Sequence, residues 1–138
     1  MNISASIKNS HNQHQVTVQT NDVSKVVAIL PKPDGYGSSI NGGELLLLAL
    51  ATCFCNDLYR EANRRKIPIE SVEVECTGEF DAEGEPGSNF RYSAHIVSDA
   101  PSEVINDLIQ HTDKVAEIQN TLRKGLNVKL NSPSNFHI

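Results

Sequence analysis

From Glu44 to Lys66 the chain runs without a Pro or a Gly, and the first half of that stretch, ELLLLALATCFC, is apolar nearly all round. No other feature constrains the fold as strongly, because a helix with apolar residues on every face is tolerated only when it is buried on most sides. Asn41 and Glu44 stand at N-cap and N3 spacing, so each side chain can satisfy the other's backbone N–H where the helix begins. The second half, NDLYREANRRK, turns amphipathic and ends in cations that suit the negative end of the helix dipole. The apolar run Leu45 to Ala51 is seven residues long, where a membrane span needs about twenty. The expectation is a long buried central helix in a soluble protein that has no membrane partner.

Around this helix the pattern alternates. Ile3, Ala5 and Ile7 interleave with polar residues, and after the polar stretch Asn9 to Gln15 come Val16, Val18 and Thr20, which predicts a β-hairpin. A short run from Lys25 to Leu30 predicts a third strand, halted by Pro31, Pro33 and Gly35 in a loop over residues 31–40. Val72, Val74 and Cys76, then Phe90, Tyr92, Ala94 and Ile96, give a second antiparallel hairpin. Pro101 opens a helix carrying Val104, Ile105, Leu108 and Ile109; a second short helix follows His111 and Thr112 and stops at Gly125. Leu126, Val128 and Leu130 alternate as a last strand before a loose tail, residues 131–138. The order βββ–α–ββ–α–α–β is an α+β pattern.

The chain of 138 residues is the size of one domain and needs no disulfide or metal to hold it together. With four Phe, three Tyr and no Trp it cannot fill several cores, so residues 1–138 read as a single domain. Twelve Lys and Arg against seventeen Asp and Glu give a net charge of −5, the wrong sign for a phosphate backbone, and nucleic acid is disfavoured as a partner. Cys53, Cys55 and Cys76 match neither a zinc ribbon nor a disulfide framework, and the N-terminal residues do not resemble a secretory signal. These features predict a cytoplasmic protein with reduced thiols.

Cys53 is the candidate nucleophile, although a thiol inside an apolar helix also fits a small buried hydrophobe. Two residues along a helix turn a side chain by about 200°, so Cys55 points elsewhere. Cys76 shares a strand face with Val72 and Val74, where packing is its simplest role. Asp57 lies one turn beyond Cys53 on the same face and Arg60 a further turn on, a carboxylate and a cation that act on a neighbouring thiol in opposite directions. A solvated surface pair of Asp57 with Arg60 or Arg64 is the plainer alternative. His11, His14, His95, His111 and His137 fall at no metal-ligand spacing and read as surface residues; no metal and no cofactor is expected.

The stretch NGGELLLLALATCF, followed by NDLYREANRRKIPIESVEVECTGEF, resembles the osmotically inducible protein C / organic hydroperoxide resistance superfamily (OsmC/Ohr). Asn120 to Val128 is similar to that family's C-terminal helix-to-strand passage, so the resemblance runs over roughly residues 36 to 130. It implies an intertwined homodimer with antiparallel sheets around a long central helix. It also implies thiol-dependent reduction of organic hydroperoxides, with Cys53 as the peroxidatic cysteine. The thiolate would attack the terminal peroxide oxygen, and the resulting sulfenic acid would await a second thiol.

The chain departs from the family pattern at several places. Ala116 and Glu117 stand where the family keeps its resolving cysteine; Gly43 stands where it keeps a Glu that orients an Arg; and no Arg precedes Arg60. Asp57 resembles the acidic residue of a less characterised branch. The resemblance therefore implies a one-cysteine peroxidase resolved by an external thiol reductant or by Cys76, with Arg60 stabilising the thiolate and Asp57 orienting it. The alternative is a non-catalytic dimer that binds a small hydrophobic ligand in an interfacial cleft.

Overall fold

The computed structural model describes residues 1–132. Its elements follow the order β1 (Ile3–Ser10), β2 (Gln13–Thr20), β3 (Val23–Val27), α1 (Gly42–Arg64), β4 (Ser71–Glu79), β5 (Ser88–Val97), α2 (Ser102–Val115) and α3 (Glu117–Lys124). This is the expected α+β order as far as α3. The chain divides into two compact units, Met1–Leu46 and Leu47–Ile138.

In the first unit, β1, β2 and β3 form an antiparallel meander, with Ile7 opposite Val16 and Val16 opposite Val27. The first hairpin closes more tightly than the polar stretch Asn9 to Gln15 suggests, because Ser10 still pairs with Gln13 and puts His14 on a strand. Strand β3 lies earlier than the apolar run Lys25 to Leu30, since Val23 pairs directly across from Thr20. The following loop is tied back to the hairpin: Gly37 N–H donates to Asn9 Oδ1 at 3.1 Å and Asn12 N–H donates to the Gly35 carbonyl at 2.7 Å. Gly35 has φ +91°, and a Cβ there would lie 2.4 Å from the His11 ring, so only glycine fits this turn. The capping box forms as expected: Glu44 N–H donates to Asn41 Oδ1 at 2.8 Å and Asn41 N–H to Glu44 Oε1 at 3.0 Å.

In the second unit, Phe54, Leu58 and Ala62 recur every four residues along α1 and are buried with Leu108 of α2 and Ala116. The inward face of the β4–β5 hairpin, with Val72, Val74, Tyr92, Ala94 and Ile96, packs against this stripe. Phe54 meets the Tyr92 ring edge-on, centroids 4.7 Å apart. Gly78 leaves room for Phe90, whose ring a Cβ would approach to 2.3 Å.

Three expectations are corrected here. The apolar start of α1 is not covered on most sides: Leu48 is 57% exposed, while the deepest residues lie in the second half of the helix. The break between the last two helices falls at Ala116, whose extended backbone (φ −71°, ψ 111°) ends α2, and not at Thr112, which is buried within α2. The strand expected at Leu126 to Leu130 does not form. Leu126, Val128 and Leu130 are 59%, 88% and 93% exposed, and no strand among the described residues offers them a ladder. Asn131 and Ser132 have no regular structure, and the rest of the expected tail, residues 133–138, lies outside the described residues.

Candidate functional site

Cys53 sits midway along α1, half-buried, where the uniformly apolar stretch gives way to the amphipathic one. Its thiol lies 3.5 Å from Asp57 Oδ2, the one-turn spacing that helix geometry predicts. Asp57 is itself buried, and its other oxygen is 3.0 Å from an Arg60 guanidinium nitrogen. Asp57 therefore stands between the thiol and the cation. The structure brings together all three residues singled out from helical spacing.

A second element acts on the same thiol. The backbone amides of Ile118 and Glu117, in the first turn of α3, pull the pKa of the Cys53 thiol down. Ala116, the cap residue of that helix, has no polar side chain to occupy these donors, and no side chain caps them. Two anchors support this placement of α3. Gln119 donates through Nε2 to the Leu50 carbonyl at 3.0 Å, and Arg123 holds Asp113 of α2 at 2.6 Å. Asp113 also accepts from the Tyr92 hydroxyl of β5, and burial together with this carboxylate drives the phenol well above its ordinary range.

The balance at Cys53 follows from these neighbours. Burial raises the thiol pKa most, and the charge and hydrogen bond of Asp57 raise it further, while the two α3 amides pull it down. The net direction is upward.

Arg60 also donates through Nε to Glu61 Oε2 at 3.2 Å. Glu61 is buried, and Arg64 and His111 complete its partners at 2.9 and 2.8 Å. The His111 hydrogen bond, aided by the two arginines, holds the Glu61 carboxyl below the usual range against the opposing effect of burial. His111 is thus not a bare surface residue as its sequence context suggested: it ties α2 to a buried carboxylate. Glu61 went unnoticed although it lies one helical turn beyond Asp57 on the same stripe, a spacing that could have found it.

Cys76 lies on β4 opposite Tyr92, half-buried, and burial raises its thiol; it is a free cysteine, as are Cys53 and Cys55. Beside the α1–α3 contact, a cavity of about 200 Å³ is lined by Leu50, Phe90, Tyr92, Gln119 and Leu122, with Arg91 and Arg123 at its polar side. Gln119 Oε1 is buried without a hydrogen-bond partner among the described residues. Among the described residues no group of His, Cys, Asp and Glu is placed to hold a metal ion, and no helix is long and apolar enough to cross a membrane.

Solved structures similar to this chain share its fold. An OsmC-like protein from Mycoplasma pneumoniae matches with a TM-score of 0.59 at 20% identity, covering 87% of each chain. An organic hydroperoxide resistance protein from Legionella pneumophila matches with a TM-score of 0.59 at 21% identity, covering 89% of this chain and 90% of that one. A further organic hydroperoxide resistance protein, from Elizabethkingia anophelis, gives a TM-score of 0.59 at 20% identity over 87% of this chain and 86% of that one. No curated protein matches the sequence. The family model described as OsmC-like protein matches residues 35–131, most of the chain and all of the site around Cys53. The chain belongs to the OsmC-like protein family.

Proposed function

We propose that this protein reduces organic hydroperoxides with Cys53 as its peroxidatic cysteine, in oxidative stress defence in the cytoplasm. The observation that carries the reading is the half-buried Cys53 thiol 3.5 Å from Asp57 Oδ2, a proton acceptor that Arg60 meets at 3.0 Å, while the backbone amides of Ile118 and Glu117 lower the thiol's pKa. Arg60 contributes indirectly, by neutralising Asp57 beside the thiol.

In this reading the thiol proton passes to Asp57 Oδ2, and the thiolate attacks the terminal oxygen of the hydroperoxide. The O–O bond breaks, the alcohol leaves with a proton, and Cys53 becomes a sulfenic acid. An external thiol then forms a mixed disulfide with release of water, and a second thiol regenerates Cys53; Cys76 is the internal candidate for the first of these steps. The neighbouring apolar cavity suits an alkyl group better than hydrogen peroxide. Leu48 and the exposed alternation Leu126, Val128, Leu130 favour a homodimer in which a second copy covers them.

A specific observation also favours a second reading. Burial and Asp57 hold the Cys53 thiol above its ordinary value, which lowers the thiolate fraction at neutral pH and suits a dimer that binds a small hydrophobic ligand without chemistry. Exposure of the reduced protein to cumene hydroperoxide with a dimedone-type trap separates the two. Stoichiometric sulfenate on Cys53, lost in Cys53→Ser, is the expected result; an unlabelled thiol under excess hydroperoxide supports the binding reading.

A further inference from the structure

We propose that His111 is a positioning residue for the thiol site: through Glu61 it fixes the Arg60 guanidinium against Asp57, and so governs the charge that Cys53 meets. The inference deepens the peroxidase reading and rests on Cys53 being the working thiol.

A continuous set of contacts joins the two residues. It runs from Cys53 Sγ to Asp57 Oδ2 at 3.5 Å, from Asp57 Oδ1 to Arg60 at 3.0 Å, from Arg60 Nε to Glu61 Oε2 at 3.2 Å, and from Glu61 Oε1 to His111 Nε2 at 2.8 Å. All but the last member lie on α1. Because the acceptor is a carboxylate, the imidazole must carry its hydrogen on Nε2.

The arithmetic of donors and acceptors gives His111 its role. Glu61 Oε2 already receives Arg60 and Arg64, and among the described residues Oε1 receives only His111. Glu61 is 5% exposed, so Oε1 deprived of His111 has little water to turn to. Arg60 and Arg64 already donate to Glu61 and carry further N–H groups, and a fork-to-fork pairing with Glu61 would draw Arg60 away from Asp57. Asp57 would then present an uncompensated charge to a thiol 3.5 Å away and raise its pKa. Two other charged groups bear on this network: Asp107 of α2 is paired with Arg65 at 2.8 Å, and the charge of Glu117 of α3 acts on Arg60. A contact that merely docked α2 on α1 would alter stability and leave the thiol unchanged.

The test is the pH dependence of iodoacetamide alkylation, read at the Cys53 peptide by mass in the full chain. His111→Ala is expected to move the Cys53 titration upward and slow alkylation at neutral pH about threefold. Arg60→Met should do the same, and His111→Gln, which keeps an N–H donor, should return the profile to that of the native chain. An unshifted His111→Ala profile, or a His111→Gln profile displaced as far as that of His111→Ala, overturns the proposal. If His111→Ala does not fold, His111→Leu, which keeps the bulk and loses the donor, takes its place, alone and together with Glu61→Gln: it must shift the profile of the native chain and add no shift once the carboxylate is gone, and an added shift overturns the relay. The titration needs no peroxide, so the predicted order of profiles without sulfenate under cumene hydroperoxide refutes the peroxidase reading alone.

Discussion

The two halves of α1 differ in what covers them. The second half carries four charged residues and buries Phe54, Leu58 and Ala62 completely or nearly so, because the β4–β5 hairpin and α2 close over that stripe. The first half is almost purely apolar, yet Leu48 remains 57% exposed and only Leu50 among its leucines is buried. Polarity along a helix says which face can be buried; burial itself depends on which neighbours the fold supplies. At the junction of the two halves, Cys53 has an apolar turn before it and a network of charges after it.

Substitutions test this contrast. Phe54→Ala removes a ring that is fully buried against Leu58, Leu108 and Tyr92, and should cost about 3–5 kcal/mol in chemical denaturation. A loss near 1 kcal/mol would mean that the second half is no better packed than the first.

Glu61→Gln should cost about 2 kcal/mol, less than breaking a fully enclosed pair, because Arg64 is largely exposed and resolvates. Its pH dependence is diagnostic. The folded carboxyl titrates below the unfolded one, so its stabilisation is fully present above the unfolded carboxylate's range and is lost as pH falls through the folded value. The native chain should therefore lose stability on acidification more steeply than Glu61→Gln. Parallel acid limbs in denaturation would show that His111 and the arginines contribute no net charge stabilisation to the second half.

Much of this molecule can be read along the chain, where the relevant physics is local. The Asn41–Glu44 box, the two hairpins and the one-turn step from Cys53 to Asp57 depend on residues a few positions apart, and the structure has all of them. The site's other determinants are not local. His111 lies fifty positions from Glu61, and the Ile118 and Glu117 groups that lower the thiol's pKa are backbone amides, which no residue type announces. The last strand failed for a related reason: Leu126, Val128 and Leu130 alternate correctly, but alternation does not supply a ladder partner. The break at Ala116 was invisible because nothing in its side chain prevents helix, and only the packing of α3 against α1 explains an extended residue there.

In the first half, Asn41→Ala should cost about 1 kcal/mol by leaving the Glu44 N–H without its cap. The loss should be absent from Glu44→Ala placed on top of it wherever the two side chains act as one box, a double-mutant cycle read by thermal melts.

The smallest expected effect is at Leu48. Its side chain is more than half exposed, and Ala is as good a helix former, so Leu48→Ala should change the stability of dilute protein by no more than about 0.5 kcal/mol. At higher concentration the outcome should differ. If a second copy covers this face, the native chain gains stability with concentration by mass action, and Leu48→Ala weakens that gain while leaving the dilute limit unchanged. Sedimentation and melts over a range of concentrations measure both. A loss at Leu48 comparable with that at Phe54, independent of concentration, would show that the chain itself covers the apolar half and would remove the contrast between the two halves of the helix.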